Sequence, residues 1–146
     1  MMPTPASLPR ESMKKEVLQL GEISITELNN YHSDNPERRL VSMMGVVFDV
    51  TDAVDKYGPD GGYKEFAGHD ITINMACSKM DEKWLDMMIR LEPQYLESAR
   101  EWLEFYRNKY PECGILSEWR DDPALMPEPS DQVKADLKAK NDCCIQ

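Results

Sequence analysis

The chain has no apolar run long enough to cross a bilayer. Its longest mostly apolar stretch, "VSMMGVVF" at 41–48, falls far short of the roughly 20 residues a spanning helix needs. The first residues, "MMPTPASLPRESMKK", hold no apolar segment, so neither a secretory signal nor an anchor helix is expected there and the chain reads as cytosolic. Positive charge is scarce as well. Seventeen Lys and Arg face 27 Asp and Glu, for a net charge of −10. With no basic stripe to offset that balance, repulsion from phosphate excludes nucleic acid as a partner. There are four cysteines but no C-x-x-C pair, and His32 and His69 stand far from them. A zinc site is not expected, and Cys77 and Cys113 read as small buried apolar residues. No G-x-S-x-G, Walker loop or H-E-x-x-H occurs, and "YGPDGG" is not a dinucleotide fingerprint. Carboxylates are too abundant here for any pair of them to mark a catalytic site. The chain is not expected to be an enzyme.

What is present suits one small α+β domain. The 146 residues are 41% hydrophobic and 8% aromatic, enough for a core in one domain of about 100 residues with tails. Residues 1–20, with three prolines and mixed charge, read as a loose arm; 21–119 as the domain; 120–146 as a polar tail with a short helical pattern in "SDQVKADLKAK". "ISITELNNY" suggests a short strand and then a helix capped by Ser24 or Thr26, with Leu28 and Tyr31 turned inward. In "RRLVSMMGVVFDV" the residues Val46, Phe48 and Val50 alternate toward one strand face. "TDAVDKYG" predicts a short helix capped by Thr51, with Val54 and Tyr57 on one face and Gly58 as its stop. "ITINMAC" predicts a strand or extended connector. Met80, Trp84, Met87 and Leu91 recur at helical spacing behind an S-x-x-D cap at Ser78. Pro93 opens a second helix with Leu96, Ala99, Leu103 and Tyr106 inside, and "CGILSEW" adds a last strand.

Between the short helix and "ITINMAC" lies "YGPDGGYKEFAGHD", residues 57–70. Its glycines free the backbone to lie close against a flat object. Tyr63 at the end of that loop can be core beside Phe66, turn decoration or ligand.

Taken in order, "ITELNNYHSDNPERRLVSMMGVVFDVT", "YGPDGGYKEFAGHD" and "WLEFYRNKYPECGIL" resemble the core of the membrane-associated progesterone receptor family, the haem/steroid-binding relatives of cytochrome b5. The resemblance covers about residues 22–117. It implies a cytochrome b5-like α+β fold, a small mixed sheet with short helix pairs forming a cleft. It also implies haem b as cofactor, held by a tyrosine phenolate in place of the histidine pair of typical cytochrome b5. The matching ligand is Tyr63. Tyr57 matches a tyrosine that shapes the haem pocket, and Lys109 and Tyr110 match a pair at the haem edge and propionates. The chemistry is consistent: Fe(III) favours deprotonation of a bound phenol, and an anionic oxygen ligand favours the ferric state. Two features depart from the family pattern. His69 stands where arginine is usual, and Pro111 follows Tyr110 directly; His69 is expected to face solvent rather than bind iron.

The chain ends "CCIQ", which fits the C-a-a-X prenylation signal with Cys143 as the lipidated residue and a final residue that favours farnesyl. The expectation is therefore a haem carrier, sensor or accessory to haem enzymes such as cytochromes P450. It would attach peripherally to the cytosolic face of membranes such as the endoplasmic reticulum, through a prenyl tail. The resemblance also implies a homodimer stacked through its haems. The alternative is a haem-independent steroid-binding or protein-interaction adaptor, although nothing in these residues specifies a sterol.

Overall fold

The computed structural model describes residues 18–119 and 130–138. Four strands, β1 (Gly21–Ile23), β2 (Leu40–Met43), β3 (Val46–Asp49) and β4 (Glu112–Leu116), form one sheet in the order β1-β4-β3-β2. β1 runs parallel to β4, and the other neighbours are antiparallel. The helices are α1 (Ile25–Leu28), α2 (Val54–Tyr57), α3 (Thr72–Cys77), α4 (Pro93–Lys109) and α5 (Asp131–Lys138), with 3-10 turns at Lys64–Phe66 and Glu82–Trp84. The mixed sheet with short helices is the α+β architecture that the sequence led us to expect.

Local signals explain much of this. Ser24 caps α1: its hydroxyl accepts from the Glu27 N–H, and the Glu27 carboxylate accepts from the Ser24 N–H, a complete capping box. Pro93 occupies the first turn of α4, where its missing N–H costs nothing. Met44 and Gly45, both at positive φ, form the two-residue turn between β2 and β3. A side chain at Gly45 would meet Trp119 Cβ at 2.2 Å.

Alternation along β3 splits the core. Val46, Phe48 and Val50 lie with Val41 and Met43 of β2 against Tyr57, Phe66, Ile71, Tyr106 and Tyr110, as the spacing predicts. Val47 points the other way, to Ile23, Leu28, Leu40, Leu116 and Trp119. Cys77 and Cys113 are buried, and burial pushes both thiols up to about 12. The short pattern in the tail forms α5, whose Leu137 is buried against Trp84, Leu91 and Ala99.

Four local expectations fail. Thr72–Cys77 is a helix, not a strand or connector, and all six residues are buried. The Thr72 N–H binds Asp70 Oδ1 at 3.1 Å, and Thr72 Oγ1 accepts from the Met44 N–H at 2.8 Å, so tertiary partners override β-branched propensity. The helix expected over Met80, Trp84, Met87 and Leu91 is reduced to one 3-10 turn. Ser78 and Asp86 take left-handed conformations on either side of it, and the Asp86 N–H pairs with the Asp70 carbonyl at 2.9 Å. Thr51 does not cap α2, which starts after Ala53 without a side-chain cap; its hydroxyl instead binds the Arg39 N–H and Asp49. Val54 is 54% exposed while Tyr57 is buried, so they do not share an inner face.

Candidate functional site

The residues singled out in the sequence converge on one side of the sheet. Tyr57 ends α2, Tyr63 precedes the 3-10 turn, and Lys109 and Tyr110 end α4. The rings of Tyr57 and Tyr63 lie 6.1 Å apart, and those of Tyr57 and Tyr110 6.4 Å. Lys109 Nζ stands 5.6 Å from the Tyr110 ring and 5.4 Å from Phe105, within cation–π range.

The glycine loop makes the placement of Tyr63 possible. After Gly58 the chain doubles back, and the Tyr63 N–H reaches the Lys56 carbonyl at 2.7 Å. A Cβ on Gly61 would sit 2.3 Å from that same carbonyl oxygen, so only glycine allows the approach. On its far side the Tyr63 carbonyl accepts from the Phe66 N–H at 2.9 Å, and its ring stacks on Phe66 with a 2° interplanar angle. Packing on Phe66 and exposure coexist: Tyr63 is 38% exposed. The loop lies flat, but against its own helix end.

The other phenols are closed in. Tyr57, Tyr106 and Tyr110 are buried, and the Tyr57 and Tyr106 hydroxyls meet at 2.7 Å. Burial, then the neighbouring Tyr106 hydroxyl, raises the Tyr57 pKa far above that of an ordinary phenol. Burial pushes Tyr106 up to about 12 despite the bond from Tyr57, and burial with Tyr106 also raises Tyr110. These three resist ionisation. Tyr106 is the site residue that sequence reasoning left in the core. The signal was there, because a buried tyrosine hydroxyl needs a partner, but that partner lies 49 positions away.

His69 lies apart from the tyrosines. Its Nδ1 is 2.7 Å from Asp86 Oδ2, and Asn29 Nδ2 donates to that carboxylate as well, at 3.3 Å. Asp86 Oδ1 accepts from the Asp70 N–H at 2.7 Å. With His32, Lys64 and Glu82 the pair borders an open groove of about 530 Å³. The His69 side chain is 30% exposed, so it faces the groove but is tied by its hydrogen bond to Asp86. Cys143 lies outside the described residues.

The donor set suits haem with one oxygen ligand. The Tyr63 and Phe66 rings are stacked, one phenol is accessible beside phenols held neutral, and a lysine lies over the Phe105 and Tyr110 rings. Phenolate is a hard ligand matched to ferric iron.

The comparisons with known proteins identify the domain that carries these residues. Residues 24–98, just over half of the chain, match the model of the cytochrome b5-like heme/steroid binding domain. Membrane-associated progesterone receptor component 2 of Homo sapiens is 34% identical over 122 residues, covering 81% of this chain and 52% of its own. Membrane steroid-binding protein 1 of Arabidopsis thaliana is 31% identical, covering 82% of this chain and 56% of its own. A cytochrome P450 regulator of Schizosaccharomyces pombe is 29% identical over 62% of this chain and 59% of its own. The chain thus spans about half the length of the curated relatives it matches. Among solved structures, a hypothetical protein of Arabidopsis thaliana with a cytochrome b5-like fold aligns with TM-score 0.61 at 25% identity, over 71% of this chain and 97% of that one. The matched domain, the fold and the loop that carries Tyr63 lead to one conclusion: this chain belongs to the cytochrome b5-like heme/steroid-binding domain family.

Proposed function

We propose that this protein binds haem b through a Tyr63 phenolate and acts, without catalysing a reaction itself, as a haem carrier, sensor or accessory to haem enzymes such as cytochromes P450. The observation that carries the proposal is the contrast in exposure among the clustered tyrosines. Tyr63 is accessible, whereas Tyr57, Tyr106 and Tyr110 are buried and held protonated. Haem would supply a ferric Lewis acid and a flat apolar face. Tyr63 would donate the anionic oxygen, Tyr57 would shape the pocket floor with its hydroxyl kept neutral by Tyr106, and Lys109 with Tyr110 would meet the propionates. The P450 connection is supported by the fission yeast relative, a cytochrome P450 regulator.

Membrane attachment is part of the same reading. No described helix is long and apolar enough to cross a membrane, and relatives carry the words membrane-associated in their names. A prenyl group on Cys143 would supply a peripheral anchor on the cytosolic face, and a single such chain binds marginally. Pairing through stacked haems would double it. Cys143→Ser should abolish both prenylation and liposome partitioning; partitioning unchanged by that variant removes this part of the reading.

A second reading is a haem-independent steroid-binding or interaction adaptor. It is favoured by the exposed apolar side chains of Val54 and Phe105 on the two helices that frame the cluster. The deciding experiment is the visible spectrum of the purified protein titrated with haemin. A high-spin ferric spectrum of the tyrosinate type, lost in Tyr63→Phe, is expected. A low-spin spectrum, or one unchanged by that substitution, overturns the ligand assignment.

A further inference from the structure

α5 lies beyond residues 24–98, the part of the chain that matches the family's domain model, yet it is docked on the domain. Its two apolar residues, Val133 and Leu137, stand four apart and so share one helix face. Leu137 is buried among Trp84, Leu91 and Ala99, and Val133 is half-buried against the same cluster. Lys83 Nζ lies 4.9 Å from the centre of the Trp84 ring and 3.2 Å from Asp136 Oδ2, so one ammonium covers the ring and holds the helix. The Tyr95 hydroxyl donates to the Leu137 carbonyl at 3.5 Å. This is the arrangement of a helix laid in an apolar groove, made within one chain.

The docking is slight and the fit incomplete. Eight residues are too few for a helix that sustains itself in water, so α5 is helical because it is docked. One buried leucine and one exposed ion pair are weak ties. A narrow cleft remains between α5 and the domain, lined by Leu91, Tyr95 and Leu137 and also by Arg90, Lys134 and Lys138. In a chain of net charge −10, two lysines of α5 thus share a cleft with an arginine of the domain.

We infer that the face built by Trp84, Leu91 and Ala99 is a helix-binding seat that α5 fills reversibly, and that an acidic amphipathic helix of a partner protein displaces it. The partner helix carries two apolar residues four apart and a carboxylate just before the second, to meet Lys83. It carries carboxylates where α5 has Lys134 and Lys138, which turns the crowding beside Arg90 into attraction. A second copy of this chain is the poorer occupant. Residues 120–129 tether α5 to its own seat, so an identical helix arriving from solution competes against an effective concentration of about millimolar. Only a better-matched helix wins. The seat lies apart from the tyrosine cluster, since Ala99 is seven residues, or about 10 Å along α4, from Tyr106. The inference therefore stands without the haem reading.

The probe is a synthetic peptide of residues 128–140, titrated into the isotope-labelled full chain without haem and followed by NMR at the Trp84 indole N–H. Leu137→Asp in the chain should lift α5 and open the seat, so the peptide should bind this variant roughly tenfold or more tightly than wild type. The same peptide carrying Leu137→Asp should not bind. A peptide with Lys134→Glu and Lys138→Glu should bind several-fold more tightly than the native one, and the gain should shrink with salt. Lys83→Glu in the Leu137→Asp chain should weaken the native peptide, and Asp136→Lys in the peptide should restore it. Equal binding to wild type and Leu137→Asp, or binding to neither, overturns the seat. No gain from the two glutamates overturns the acidic partner. A wild-type dimer in sedimentation that is lost in Leu137→Asp gives the seat to a second copy and overturns the partner as well. Should Leu137→Asp fail to fold, Val133→Asp opens the seat instead, and hydrogen exchange of the wild type still decides. Amides of α5 should exchange faster than those of α4, and equal protection overturns reversible docking.

Discussion

The two ends of the loop from Tyr57 to Asp70 are built on opposite principles. At the Tyr63 end, backbone hydrogen bonds fix the chain but the side chain is left accessible on a stacked ring. At the His69 end the side chain is tied: His69 to Asp86, Asp86 to the Asp70 N–H, and Asp70 to Ser42 at 2.7 Å. A ligand needs a donor atom free of internal partners. A bridge between segments needs the reverse, because its value lies in those partners. The comparison teaches that one loop can keep a tyrosine accessible, as the proposed ligation requires, while it commits a histidine to internal contacts.

The sharpest way to break the comparison is to exchange the losses. Tyr63→Phe should lower haemin affinity by more than about 100-fold, since even outer-shell substitutions at metal sites cost about 10–100-fold. His69→Ala should leave the haemin spectrum unchanged. A low-spin component that vanishes only in His69→Ala would invert the assignment. Next in size is Gly68, whose φ is +87° and where a Cβ would lie 3.0 Å from His32 Cα. Gly68→Ala should destabilise the fold by about 1–3 kcal/mol, read from urea unfolding; no change would mean the His69 end tolerates rearrangement.

The buried phenols permit a cycle. Tyr57→Phe or Tyr106→Phe alone leaves one buried hydroxyl without its partner, at about 1–3 kcal/mol, whereas the double variant removes both. The double variant should therefore cost less than the sum of the singles. Additive costs would show that the hydroxyl pair contributes little.

Most specific is a pH effect at the tied end. Burial raises the Asp70 carboxyl to about 7, against opposing hydrogen bonds from Ser42 and Thr72 and with help from the Asp86 charge. The folded state therefore holds this proton where the unfolded chain, with a pKa of about 4, has released it. Its contribution to stability is fully present below about pH 4 and is lost as pH rises through about 7. Asp70→Asn should remove that slope, so the stability of the variant relative to wild type should rise between acid and neutral pH. Parallel curves for the two proteins would show that Asp70 titrates normally.

Much of this molecule is decided within a few residues of sequence. The cap at Ser24, one of the two candidates in the sequence, the proline at the start of α4, and the alternation of Val46, Phe48 and Val50 all act locally and all appear as expected. The loop pattern that marks the family is local as well, and the family is shown. Tertiary structure decided the rest. Thr72–Cys77 coils because Asp70 and Met44 supply hydrogen-bond partners that its own propensity could not announce. The reach of Asp86 to Asp70 and His69 accompanies a left-handed backbone where helical spacing predicts a helix. Tyr106 joins the site only when the end of α2 meets α4 and the two hydroxyls come together. Local patterns report on neighbours one or two turns away, while a buried hydroxyl pair is the joint property of segments about fifty residues apart.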